Sequence, residues 1–143
     1  MKVILVNVRK DDRRLPPLGT AYVAGYLKSK NVNVEIIDPT PLQLSNNFSY
    51  IKNILSKNPN LVGFTINAVN ANDALNIAKK LKQQNPEIQI VFGGPQASAI
   101  PEDYLIDYVI IGEGEIAMYK LSQAIQNKIK ISEVPNIMYK VNK

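Results

Sequence analysis

Cysteine and histidine are both missing from the 143 residues, and their joint absence removes much of enzyme chemistry. Disulfides, thiolate metal sites, iron–sulfur clusters, histidine metal ligands and histidine general bases are excluded from this chain. No apolar run is long enough to read as a membrane span, and the first twenty residues are strand-like and then charged, unlike a signal peptide. A cytoplasmic protein with no membrane partner is the expectation. The net charge is +5, but Lys79, Lys80, Lys82, Lys128 and Lys130 are scattered and no basic patch is interleaved with aromatics. That pattern suits a solvated surface and argues against nucleic acid.

What is present is one domain's worth of chain, with an ordinary hydrophobic share of 45% and room for a single core. The apolar run from Ile88 to Phe92 stops at Gly93-Gly94-Pro95-Gln96. Glycine permits positive φ and close approach to the backbone, and proline then fixes the next φ. Tyr108-Val109-Ile110-Ile111 likewise runs into Gly112-Glu113-Gly114-Glu115. Two strands ending in bare glycine loops imply one shared sheet edge with space above it.

Further β-branched runs, Lys2–Val8, Val32–Asp38 and Leu61–Ile66, read as strands. Helices are expected over Leu18–Ser29, stopped by a left-handed Asn31, over Phe48–Lys57, from Ala71, and over Glu115–Gln126. A short helical turn is expected at Pro101–Tyr104. Strand and helix alternate, so the fold class is α/β, a Rossmann-like (flavodoxin-like) doubly wound five-stranded parallel sheet in the order 2-1-3-4-5. Ligands of such sheets bind beyond the carboxyl ends of the strands. The loops Arg9–Leu18, Thr65–Asn70, Gly93–Ser98 and Gly112–Glu115 reach that edge.

Several ligands are excluded. The first strand–helix turn lacks G-x-G-x-x-G, so a dinucleotide fits poorly, and Asp38 is then a strand terminator. No P-loop occurs, and a phosphate-accepting aspartate is missing where Thr65-Ile66-Asn67 closes the third strand. Asp11 and Asp12, with Arg9, Arg13 and Arg14, read as a solvated loop. Glu113 and Glu115 look like a carboxylate pair, but a helix start explains them. Tyr22 and Tyr26, one turn apart, read as packing.

Pro16-Pro17-Leu18-Gly19, Gly63-x-Thr65, Gly93-Gly94-Pro95 and Gly112-Glu113-Gly114-Glu115, in that order and spacing, resemble the N-terminal cobalamin-binding domain of cobalamin-dependent radical S-adenosylmethionine enzymes. The likeness runs from Lys2 to about Tyr139. It implies a module that holds the corrin over the strand ends and the nucleotide tail in the crevice between sheet and loops. It also implies a catalytic domain, in cis or trans, that carries the iron–sulfur cluster and S-adenosylmethionine. Residues 1–128 would be the cobalamin-binding domain and 129–143 an extension or linker towards a catalytic domain absent from this chain. The chain departs from related cobalamin domains in lacking D-x-H-x-x-G, whose histidine ligates cobalt, and in placing Gln96 where histidine is frequent.

The resemblance assigns candidate roles, each beside a structural alternative. Gly93, Gly94 and Pro95 let the cofactor's tail lie on the strand end, or simply form a tight turn. Thr65 donates its hydroxyl to the tail, or is satisfied by backbone. Asn67, Asn70 and Gln96 offer amides to the corrin fringe, or the two asparagines are a loop residue and a helix cap. Leu15 and Leu18 give an apolar floor below cobalt, Gly19 allows close packing, and Gly112, Glu113 and Gly114 line the cofactor's edge. The alternative from another class is a cofactor-free flavodoxin-like domain that uses the same loops for protein interaction.

Overall fold

Strand side chains alternate between two faces, and each face of this sheet carries its own helix layer. The computed structural model describes residues 1–8, 17–38 and 46–141. In β1 (Lys2–Val6), Ile4 and Val6 point to one core and Val3 and Leu5 to the other. The same alternation continues in β3 (Leu61–Thr65) and β4 (Gln89–Gly93). Phe64 and Phe92 are register partners and stack with ring centroids 5.3 Å apart. They pack with Tyr50 and Ile54 of α2 (Asn47–Ser56) and Ile77 and Leu81 of α3 (Ala71–Gln84). Across the sheet, Leu5, Leu61, Val91 and Ile110 pack with Leu27 of α1 (Leu18–Ser29) and with Met118 and Leu121 of α5 (Glu115–Ile125).

The strand order is β2-β1-β3-β4-β5-β6, with β2 at Asn33–Ile37 and β5 at Tyr108–Ile110. The first five strands are parallel, as the α/β alternation requires. The sheet differs from expectation in having a sixth strand, β6 (Ile137–Tyr139), antiparallel to β5. It comes from the segment read as an extension, and Val134 just before it is buried in the core under α1 and α5. A three-residue strand offers no period to read, so pattern alone does not find it. A second short element, α4 (Pro95–Ala99), follows the double glycine directly.

Helix stops follow backbone chemistry. Asn31 takes φ 59° after α1, with Val32 N–H donating to the Leu27 carbonyl, as the sequence suggested. Asn58 does the same after α2, at φ 48°.

At the opposite edge from the helix-opening loops, Glu35 of β2 lies between Lys2 and Lys57, at 2.6 and 2.7 Å. Hydrogen bonds from these two lysines lower its pKa from 4.5 to about 2. The stabilisation is therefore complete above pH 4.5 and is lost as pH falls towards 2. Because the carboxylate is partly exposed, its screened worth is about 0.5–1 kcal/mol. Glu35→Gln should lower the melting temperature slightly at pH 7, and the gap between the two proteins should close on acidification. Thermal melts at both pH values check this.

Candidate cofactor cleft

The layer between the sheet and helices α1 and α5 thins at the carboxyl ends of the central strands. The reason is residue size. Gly63 and Thr65 in β3 and Gly93 in β4 occupy positions facing that layer, with Gly63 paired to Val91 and Thr65 to Gly93. A cleft of about 420 Å3 opens there, within the roughly 300–1,000 Å3 typical of small-molecule sites. Its inner wall is Leu5, Gly63, Val91, Ile110 and Met118, and its outer parts include Gly19, Tyr22, Gly112, Glu113 and Gly114. It lies over β1, β3, β4 and β5, and is thus broader than the β1–β3 switch point alone.

The adjacent glycines do different things. Gly94 has φ 95° and ψ −179°, a region open essentially to glycine alone. A Cβ there would stand 2.7 Å from the Ile66 carbonyl oxygen. Ile66 N–H donates to the Gly93 carbonyl and Gln96 N–H donates to that of Ile66, so the ends of β3 and β4 are hooked together at this point. Gly94 is thus required by the turn. Gly93 is not, because the nearest atom to its Cβ position is the Ile110 carbonyl oxygen, at 4.0 Å. Gly19 likewise has nothing within 4 Å of a Cβ. These two bare positions line the cleft with no packing reason to be glycine. Gly63 is tighter, since a Cβ would reach the Leu5 Cδ2 at 2.9 Å.

Gly112 takes φ 82° and its N–H donates to Ser98 Oγ at 2.9 Å, which ties the loop after β5 to α4. Gly114 lets α5 approach α1, for a Cβ would meet Val23 Cγ2 at 3.3 Å.

Two hydroxyls face each other in the cleft, Thr20 Oγ1 on α1 and Thr65 Oγ1 on β3, 3.1 Å apart. Thr20 is buried. Thr65 was legible from its place in Gly63-x-Thr65, whereas Thr20 was not singled out and Gly63 was read only as part of the motif. An isolated glycine within a strand is itself a signal of close approach.

Other candidates lie elsewhere. Asn70 is buried and donates Nδ2 to the Val8 carbonyl at 2.8 Å and the Thr65 carbonyl at 3.3 Å, while its Oδ1 accepts the Asn67 N–H. It stitches β1 to β3 and has no amide to spare. Asn67 Oδ1 accepts the N–H groups of Val69 and Asn70, closing a local turn. Asn67 is a loop residue, as the structural alternative had it, whereas Asn70 stands at the N-cap position of α3 without a capping hydrogen bond from its side chain, and neither lines the cleft. Asn70→Ala should therefore destabilise by about 1–3 kcal/mol by orphaning buried groups, with chemical denaturation as the check. Leu18 is exposed, and neither it nor Gln96 lines the cleft, whereas Pro95 does. Leu15, with Pro16 and the Arg9–Arg14 loop, lies outside the described residues. Tyr26 packs edge-on against Tyr119, as read. Tyr22 instead stands 68% exposed while lining the cleft. Among the described residues no cluster of acidic side chains could hold a metal ion, and no helix is long and apolar enough to cross a membrane.

A doubly wound sheet with a small-residue cleft at its strand ends is an α/β domain of the class whose ligands bind beyond the carboxyl ends of the strands. The chain belongs to the B12-binding domain family, which matches residues 2–122. An uncharacterized methyltransferase of Pyrococcus horikoshii is 34% identical over 133 residues, covering 89% of this chain and 28% of that protein. The hopanoid C-3 methylase of Methylococcus capsulatus is 30% identical over 132 residues, covering 87% and 25%. The chain thus spans between a quarter and a third of the length of these relatives. Among solved structures, the cobalamin-dependent S-adenosylmethionine radical enzyme OxsB, with aqua-cobalamin and S-adenosylmethionine bound, superposes with TM-score 0.83 at 26% identity, covering 96% of this chain and 20% of that one. The fold is shared with the radical S-adenosylmethionine methyltransferase TsrM from Kitasatospora setae with cobalamin and a 4Fe–4S cluster bound, at TM-score 0.83 and 21% identity, covering 99% and 29%.

Proposed function

We propose that this domain holds cobalamin base-off, with the nucleotide tail in the cleft and no histidine in place of the displaced base, as the cofactor module of a radical S-adenosylmethionine methyltransferase. The observation that carries the reading is the pair of glycines, Gly19 and Gly93, that line the cleft without any packing reason to lack a side chain. A ligand that lies against the strand end needs that bareness. The chain contains no histidine, so none of its own side chains offers an imidazole to cobalt.

When bound, cobalamin supplies a cobalt centre able to carry a methyl group. The residues here bind and orient. Leu5, Val91, Ile110 and Met118 exclude water from the inner cleft, Thr20 and Thr65 present hydroxyls, and the hooked turn at Gly94 keeps the strand ends rigid. No catalysis is assigned to this chain alone. The iron–sulfur cluster and S-adenosylmethionine would belong to a separate catalytic domain. The names of the two curated relatives, methyltransferase and methylase, and the cobalamin in OxsB support this context.

The alternative, a cofactor-free interaction domain, has one observation of its own. Leu18, Tyr22, Val69 and Ile116 are exposed apolar side chains near the helix-opening ends of the sheet. Under the favoured reading they adjoin the corrin and the partner domain.

Titration of the chain with hydroxocobalamin, followed by visible absorption, separates the two. Saturable binding with the spectrum of cobalamin whose base has left cobalt is expected. Unchanged spectra through the micromolar range would leave only the interaction domain.

A further inference from the structure

We infer that Ser98 is a binding residue of the cleft, whose hydroxyl donates a hydrogen bond to a ribose or phosphodiester oxygen of the cofactor's nucleotide tail. This deepens the cobalamin reading and rests on the tail entering the cleft.

A serine within a helix has a local use for its hydroxyl hydrogen, which is to donate back to a carbonyl of the preceding turn. Ser29 of α1, Ser56 of α2 and Ser122 of α5 do so, to the carbonyls of Tyr26, Asn53 and Tyr119 at 2.7, 2.8 and 2.6 Å. Ser98 of α4 does not. Its oxygen instead accepts the Gly112 N–H from the loop after β5, at 2.9 Å. Its own hydrogen meets no acceptor among the described residues. Both residues line the cleft, and Ser98 is half-buried.

The bond from Gly112 does two things for this hydroxyl. It occupies one side of the oxygen, which directs the hydroxyl hydrogen away from the Gly112 nitrogen, and it polarises the O–H into a stronger donor. The other polar groups along the cleft are less free to donate. The Gly112 N–H is spent on Ser98 and the Ile66 N–H on the Gly93 carbonyl, and Pro95 has no N–H. Thr20 and Thr65 share one of their two hydroxyl hydrogens with each other, and the carboxylates of Glu113 and Glu115 only accept. Tyr22 carries its hydroxyl on a largely exposed side chain at the outer part of the cleft. Ser98 thus brings an unspent, oriented donor to a cleft whose inner wall is apolar. Ribose and phosphodiester oxygens are the acceptors that match it.

Calorimetric titration of the chain, of Ser98→Ala and of Ser98→Thr with cobalamin and with cobinamide, a corrin without the nucleotide tail, tests the inference. Ser98→Ala should bind cobalamin roughly tenfold more weakly and cobinamide as the unaltered chain does. Ser98→Thr keeps a hydroxyl and should hold both ligands as the unaltered chain does. Melting temperatures show that the variants are folded. Undiminished cobalamin binding by Ser98→Ala would overturn the inference and leave the cofactor reading standing. Equal weakening of cobalamin and cobinamide would also overturn it, because the hydroxyl would then serve only to hold the Gly112 loop. Binding of neither ligand by the unaltered chain would overturn the cofactor reading and the role of Ser98 with it.

Discussion

Gly93→Leu should fold normally and lose cobalamin binding by roughly a hundredfold or more, equivalent to about 3 kcal/mol. The nearest atom to its Cβ position is 4.0 Å away, and its backbone is that of an ordinary strand residue, with no positive φ. Adding a side chain within a strand removes the entropy cost of glycine and introduces no clash at Cβ. The leucine side chain would project into the cleft, beside Gly63 and Thr65, and fill the space left for the ligand. Melting temperature and calorimetric titration on the same sample check both halves. A wild-type affinity in a folded variant would mean that the ligand does not use this wall.

Gly94→Ala should give the opposite pattern, with a loss of stability of roughly 3 kcal/mol or more. The residue sits at φ 95°, and its new methyl would press 2.7 Å from the Ile66 oxygen and 3.0 Å from the Ile66 nitrogen. Both atoms belong to the hook that joins β3 to α4, so the clash cannot be relieved by a flexible side chain. Urea denaturation measures the effect. Any loss of binding in this variant follows from the damaged turn and carries no information about the cofactor. Two neighbouring glycines thus separate into a cleft-facing position and a backbone-required one, although the sequence shows only a pair.

That separation marks how far residues could be read without coordinates. The βαβ alternation was legible because helix signals such as Pro17-Leu18 at the start and Asn31 at the stop are local, and backbone chemistry enforces them. The cleft's outer loops were legible through Gly93-Gly94-Pro95 and Gly112-Glu113-Gly114, since glycine clusters after an apolar run mark where a strand ends in a turn. Thr20 was hidden because its role depends on meeting Thr65 from a different element, forty-five residues away in sequence. Asn67 and Asn70 looked available as amides, and only the partners of their side chains show that both amide oxygens, and the Nδ2 of Asn70 as well, are engaged by the backbone. β6 escaped because three residues carry no periodicity, and its place depends on β5 offering an edge. Tyr22 was assigned to packing from its helical spacing with Tyr26, yet only Tyr26 has an aromatic neighbour across the helix pair. Readings that depend on one element survive, whereas those that need two elements brought together require the structure.

The central claim is that the cleft between the sheet and helices α1 and α5 receives the cofactor's nucleotide tail. Parallel titrations of the chain with cobalamin and with cobinamide, which keeps the corrin but lacks the nucleotide and its base, test it most directly. Saturable cobalamin binding with cobinamide weaker by roughly a hundredfold is the predicted result. Equal affinities would place the binding energy on the corrin alone and contradict the role given to Gly93, Thr65 and the cleft they line.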